Sequence, residues 1–425
     1  MSTQRQATSA SQTPHISPAE LSYLYTSLSL PQNPIRPDGR SATQFRPLTA
    51  ETDLLPGTNG SARVGFADGT QAIVGVKAEV ERTVVGAAAS YTLAEADGAG
   101  DLAGEGGEGS GSAAGGGAGA GAGAGAATAG HGSWVQMSIE IPGFRDDDAL
   151  PVFLAEMMRE PLVESVSSGS KGASGDGEKE MEGGLKGRLV INRRWHWRLY
   201  IDVLLLSQPL SYPLPLLSLT THLALLATKL PKLKSKGEED PFFDDDWNAA
   251  EYLYPRASSS FPKFGGSAAG GVPPPVQHVR PPVTLLVIAV GDNVIFDPNR
   301  EEIAVADTVL AISVTRDGGS EGGLKLLSIR TIDPPSRLTQ PGVPNSENVA
   351  TLGATAGAGG SEEQQPAAAT AVLNPVTGEE EVPGVWRPRR GGVKRRTVAK
   401  MVKLVLEKGG VGEEVLEGLE SVEVG

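Results

Sequence analysis

The chain has 425 residues and no cysteine, which excludes disulfides and thiolate metal sites. Its 55 glycines and 31 prolines cluster in a few stretches, so much of the length cannot form a packed core. A net charge of -14 excludes a uniformly basic nucleic-acid binder and confines any RNA contact to a local patch.

Residues 1–16 are polar and lack the apolar core of a secretory signal, so they read as a disordered tail. The hydrophobic periods begin at residues 60–66 and 71–80, bridged by Ala67-Asp68-Gly69-Thr70, a hairpin pattern. Ala72, Val74, Val76, Ala78 and Val80 alternate and share one face of the second strand. Residues 94–130 are almost wholly glycine and alanine and cannot offset their ordering entropy. They form a predicted disordered loop between two paired strands, the second of which alternates Val135, Met137, Ile139 and Ile141.

Asp146 and Asp147 precede Leu150, Phe153, Leu154, Met157 and Met158, an apolar stripe at helical spacing. A second low-complexity insertion covers about 167–187. Trp197, Leu199, Ile201, Val203 and Leu205 then alternate as a strand, and Leu216, Leu219, Leu223, Leu226 and Leu230 follow at helical spacing. Residues 203–228 carry no charge, but Pro209, Pro213 and Pro215 interrupt them, so a buried strand and helix fit better than a membrane span.

A third insertion, about 234–279, contains the acidic run GEEDPFFDDDW. Strands at 283–290 and 293–296 flank Gly291-Asp292; another pair, 308–314 and 324–329, flanks Asp317-Gly318-Gly319. A fourth insertion spans about 341–392, and a helical segment broken by Gly409-Gly410 runs to about 422. Without the insertions about 260 residues remain, enough for a single α+β domain over 17–425 with sheets backed by helices.

The string Ile35 to Arg40, IRPDGR, is followed by Phe45-Arg46-Pro47-Leu48 and by NGSARVGFADGTQAIVGVKAEVE from Asn59. With IPGFRDDDAL, LYIDVLLLS, TKLPKL and GDNVIFDP further on, this order resembles the RNase PH family, in particular its subunits of the RNA exosome ring. The resemblance covers nearly all of the predicted core and none of the insertions. It implies an RNase PH-like fold of two similar βαβ-type halves. It also implies a hetero-oligomeric ring with other RNase PH-like and cap subunits, bound RNA and an associated exoribonuclease, in the nucleus, nucleolus and cytoplasm.

Active members of that family are phosphorolytic 3′ exoribonucleases, and the resemblance implies three elements for that chemistry. A small-residue turn with backbone amides should cradle phosphate, but residues 208–215 read QPLSYPLP, without glycine and with three prolines that supply no amide. Ser211 and Ser218 offer one hydroxyl each. Two aspartates six residues apart should supply the acid; Asp297 fills the first place, and Ile303 fills the second. Arginines should line the helix after the third strand, where Arg159 is the sole basic residue.

The expectation is therefore a non-catalytic ring subunit in which Asp297 is a relic, with a phosphate-dependent exoribonuclease or a paralogous inactive ring subunit as alternatives. Asp297-Pro298 then begins a turn, and Glu301-Glu302 forms a solvated face. Arg36, Asp38, Gly39 and Arg40 build a structural turn, or else Arg36 or Arg40 meets a neighbouring subunit's carboxylate or RNA phosphate. Arg193, Arg194 and Arg198, interleaved with Trp195 and Trp197, are candidate RNA contacts, against a reading in which the tryptophans are core and the arginines solvated. A basic stretch from Trp386 to Lys408 reads as an RNA-attracting or nuclear-localisation segment, or as a solvated helix start. The five histidines, His15, His131, His196, His222 and His278, are scattered, so no metal site and no cofactor is expected.

Overall fold

The computed structural model describes residues 16–31, 33–83, 131–163, 185–235, 239–254, 280–316, 323–343, 372–373, 380–382, 384–389 and 392–423. The predicted tail up to residue 15, the 94–130 insertion, and most of the 167–187, 255–279 and 344–379 stretches lie outside the described residues, as does the Asp317-Gly318-Gly319 turn.

Helix α1, Pro18–Leu28, starts at a capping box in which the Ser17 hydroxyl accepts from the Glu20 amide and the Glu20 carboxylate accepts from the Ser17 amide. Strands β1 (Leu48–Thr52), β2 (Gly60–Phe66) and β3 (Gln71–Arg82) form an antiparallel meander, and the predicted β2–β3 hairpin pairs Val64 with Ala72 across Ala67 to Thr70. Strand β4 (Val135–Glu140), helix α2 (Ala149–Val163) and strand β5 (Trp195–Leu205) make a parallel β–α–β crossover. The sheet order is β1-β2-β3-β5-β4. Strands β3 and β4 are thus not partners, because β5 inserts between them, and the 94–130 stretch connects non-neighbouring strands.

Along α2, Leu154, Met157, Met158 and Leu162 are buried, whereas Phe153 faces solvent. Helix α3, Leu214–Ala227, is buried at every position because it lies between the first sheet and a second one, touching β2, β3 and the strand Val283–Val290. Each fully buried leucine there contributes roughly 1.5–3 kcal/mol by removal from water. The helix stops at Thr228, whose extended backbone places Leu230 in a short strand rather than on the helical stripe. Gly60 explains the tight fit of that end: a Cβ there would lie 2.6 Å from the Thr228 backbone.

Strand β6 (Lys229–Leu230) pairs with β7 (Glu251–Tyr252), and Leu253 and Tyr254 are buried. The predicted 234–279 insertion is corrected accordingly: residues 239–254 pack on the domain, tied down by side chains that composition alone does not weigh. The second sheet has the order β11-β10-β8-β9, from β8 (Val283–Val290), β9 (Asn293–Phe296), β10 (Thr308–Arg316) and β11 (Leu324–Ile332), with the short helix α4 (Arg300–Val305) between β9 and β10. All its pairings are antiparallel. Each half is thus a sheet backed by helices, and among the described residues the parallel crossover belongs to the first half.

A two-residue pair, β12 (Val372–Leu373) with β13 (Glu380–Glu381), precedes a strap at 384–389. Trp386 in this strap is buried, its indole donating to the Thr339 hydroxyl, which corrects the extent of the predicted 341–392 insertion. Helices α5 (Arg395–Leu406) and α6 (Val411–Glu420) close the chain, separated where Gly409 takes a φ of +70°. Met401 and Val405 anchor α5, with Val402 and Leu404 partly buried beside them.

Candidate functional site

The opening motif of the sequence and the start of α4 meet in one charged cluster. Gly39 turns the chain with a φ of +76°, and the Asp38 carboxylate accepts from both the amide and the Nε of Arg40. This local turn aims two arginines inward. Arg36, 3% exposed, donates from Nε and Nη2 to the two oxygens of Glu302 at 2.7 and 2.8 Å. Its remaining donors reach the carbonyls of Ser41, Phe296 and Asp297. Glu302 is fully buried, so only Glu301 forms the solvated face predicted for the pair. Arg36 and Arg40 pair with carboxylates of their own chain.

Asp297 is fully buried and sits at a φ of +45°, a left-handed conformation uncommon outside glycine. One of its oxygens accepts from Arg40 Nη1 at 2.8 Å and from the amide and Nε of Arg46 at 2.9 and 3.0 Å. The other accepts from Arg46 Nη2 at 2.7 Å. Arg46 also donates to Asp68 at 2.6 Å and to the Ser211 hydroxyl at 2.9 Å, with its guanidinium over the Phe66 ring. Burial opposes ionisation of Asp68, but bonds from Thr70 and the charge of Arg46 hold its carboxyl below the usual range. Arg46, Asp68 and Glu302 were not singled out as site residues from sequence; the Phe45 to Leu48 string and the Asp68-Gly69-Thr70 turn carried the only signal.

The segment before α3 lies beside this cluster. Pro213 precedes the helix without a side-chain cap, and Pro215 occupies its first turn. The small hollow at Ser211 is lined mostly by apolar side chains, Phe66, Leu205, Pro209, Pro213 and Leu216, together with Thr70 and Tyr212; the Thr70 hydroxyl donates to Asp68. Ser218 faces elsewhere, its Oγ accepting from the buried Thr284 amide. Ile303, where the resemblance implies a second acid, is buried in α4. Arg159 on α2 is held by Glu156 and donates to the Gly132 carbonyl.

The aromatic-basic stretch at the start of β5 is partly covered. Trp197 is buried and its ring packs against Phe243 at 5.0 Å, while the Trp195 indole donates to Asp240. Strand β5 is interior to its sheet rather than at an edge. Arg198 is engaged by Glu81 at 2.9 Å, whereas Arg193 and Arg194 are exposed on the preceding turn. In the C-terminal basic stretch, Arg389 pairs with Asp307 and stacks on Tyr25, while Arg395, Arg396, Lys400 and Lys403 stand exposed on α5.

Among the described residues, no group of His, Asp and Glu is arranged to hold a metal, and no helix is long and apolar enough to cross a membrane. No family model matches the chain. It is 27% identical over 303 residues to the exosome complex component RRP42 of Saccharomyces cerevisiae, an alignment covering 70% of this chain and 81% of that protein. It is likewise 27% identical over 314 residues to the exosome complex component rrp42 of Schizosaccharomyces pombe, covering 70% and 78%. Among solved structures it is similar to a chain of the Archaeoglobus fulgidus exosome with RNA bound to the active site, at 18% identity and a TM-score of 0.39, covering 74% of this chain and 86% of that one. A chain of an archaeal exosome core gives 17% identity and 0.37, covering 74% and 84%. The two fungal relatives agree with the resemblance carried by the IRPDGR, hairpin and GDNVIFDP motifs.

Proposed function

We propose that this chain, an RNase PH-like exosome subunit by its similarity to RRP42, is a non-catalytic member of the exosome core ring. It assembles with other RNase PH-like subunits and cap subunits and guides RNA to a separate nuclease, supporting 3′-to-5′ processing and turnover. Its place of work is the nucleus, the nucleolus and the cytoplasm.

The occupancy of Asp297 carries the non-catalytic reading. A general acid or base must reach its substrate's proton, within about 2.6–3.2 Å or through one water. Both oxygens of Asp297 are instead engaged by Arg40 and Arg46, and the side chain is sealed from solvent. The same Arg46 holds Ser211, the hydroxyl nearest to a phosphate cradle, and proline occupies positions where amides would be needed. Arg46 thus works as an internal counter-ion where an active relative would bind inorganic phosphate. The RNA contact falls to Arg193 and Arg194, exposed and adjacent on one turn.

Incubation of the purified full chain with 3′-tailed RNA and inorganic phosphate tests this directly; no nucleoside diphosphate is expected. Phosphate-dependent release that disappears in Asp297→Ala overturns the reading. Affinity purification that recovers no other RNase PH-like or cap-like subunit overturns the ring assignment.

A further inference from the structure

The acidic run and the aromatic-basic run, separate in sequence, lie against each other. Asn192 donates from its side chain to the Glu239 carbonyl at 2.9 Å, and the Trp195 indole donates to Asp240 Oδ1 at 3.1 Å. These two contacts bracket Arg193 and Arg194 in the chain, so the acidic strand is moored on both sides of the arginine pair. A third anchor is Phe243 on Trp197. The strap is held from behind as well: the Lys234 amide donates to the Phe242 carbonyl, the Asp244 amide to the Lys232 carbonyl, and Lys234 pairs with Asp244 at 3.0 Å.

Residues 239–247 carry Glu239, Asp240, Asp244, Asp245 and Asp246 and no cation. Their charge pattern is that of a short polyanion, and single-stranded RNA is a polyanion bearing bases that stack on exposed aromatics. The strap meets the stretch with the Asp240 carboxylate on the Trp195 indole, next in the chain to Arg194, and with the Phe243 ring on Trp197.

We propose that residues 239–247 are a built-in competitor for RNA at the Arg193–Arg194 turn, setting its affinity and denying Trp195 and Trp197 to bases. This rests on the reading that the turn contacts RNA. It implies a phosphate-only, sequence-tolerant contact while the strap is seated, and a tighter one when its charge is removed.

The test measures binding of a fluorescent single-stranded oligouridylate to the full chain by anisotropy across a KCl series. Glu239→Gln combined with Asp240→Asn removes two charges and keeps the acceptor for the Trp195 indole; Glu239→Gln alone alters no side-chain hydrogen bond seen here and serves if the pair disturbs folding. The expected result is a salt slope steeper by about 1.4, the share of two phosphate contacts on a single strand, which is about sevenfold more affinity gained between 200 and 50 mM salt. The single variant gains a smaller part in the same direction. Arg193→Ala with Arg194→Ala should abolish the gain, and Glu413→Gln with Glu414→Gln, an equal charge change on α6, should give none.

If the arginine variant weakens RNA binding while both carboxylate variants bind like the natural chain, the strap proposal falls and the RNA contact stands. If the arginine variant is without effect in every background, the RNA reading of this turn falls, and the strap with it. A gain that persists without the arginines, or that the α6 variant reproduces, is a diffuse charge effect and also overturns the proposal.

Discussion

Arg46 grips both oxygens of Asp297 across 251 residues of chain, Nη2 on one at 2.7 Å and Nε on the other at 3.0 Å. Planar guanidinium and carboxylate meet fork to fork, the strongest pairing these groups make. Asp297→Ala would leave two buried or nearly buried guanidiniums facing a cavity. Its expected cost is about 3–5 kcal/mol, read from the urea midpoint at unchanged slope. Unchanged stability would show the cluster to be dispensable.

Arg36 and Glu302 form a second pair of this kind, wholly inside the protein. Arg36→Met alone should destabilise by about 3–5 kcal/mol, because Glu302 is left charged and dry. Adding Glu302→Leu should recover most of the loss. A double-mutant cycle with coupling below about 0.5 kcal/mol would contradict the pairing.

His222, in the middle of α3, gives the protein an acid-side limit. Complete burial pushes its imidazole down to about 4 from 6.5, offset only in part by the Pro281 and Pro282 backbone. As pH falls from 6.5 to about 4 the unfolded chain takes up a proton that the folded chain refuses. Stability should therefore drop across this window, by about 3 kcal/mol in all. Thermal unfolding of His222→Leu should show a shallower acid dependence than the natural chain; parallel curves would refute this assignment.

Gly60→Ala tests the seam between β2 and the end of α3. The new methyl must displace the Thr228 backbone as well as its hydroxyl, each 2.6 Å away. The expected cost is about 1–3 kcal/mol, whereas Gly69→Ala, with open space around it, should act through its φ of +88° alone.

Periodicity made β2, β3, β5 and α3 legible because each buries one face or its whole surface against near neighbours, and the alternation from Trp197 to Leu205 reproduces the buried side of β5. The insertion of β5 between β3 and β4 was not legible, since alternation marks a face and says nothing of a partner. Helix α1 went unread although Ser17-Pro18-Ala19-Glu20 carries its capping signal. At the site, composition marked the segment before α3 as proline-rich. It could not place Glu302 inside, because the arginine that makes its burial tolerable is 266 residues away. The packing of the acidic run within the predicted 234–279 insertion is hidden from composition for the same reason: Trp195 and Trp197, which fasten it, precede it by more than forty positions.

The same separation bears on how the protein is made. Arg36, Arg40 and Arg46 leave the ribosome early, and the carboxylates that receive them follow some 250 residues later. At a synthesis rate of about 5–20 residues per second, that delay is roughly 10–50 seconds. During that interval the first sheet must hold together, or be held, with its arginine motif still in water. A chain cut short before residue 297 would never complete its own opening motif.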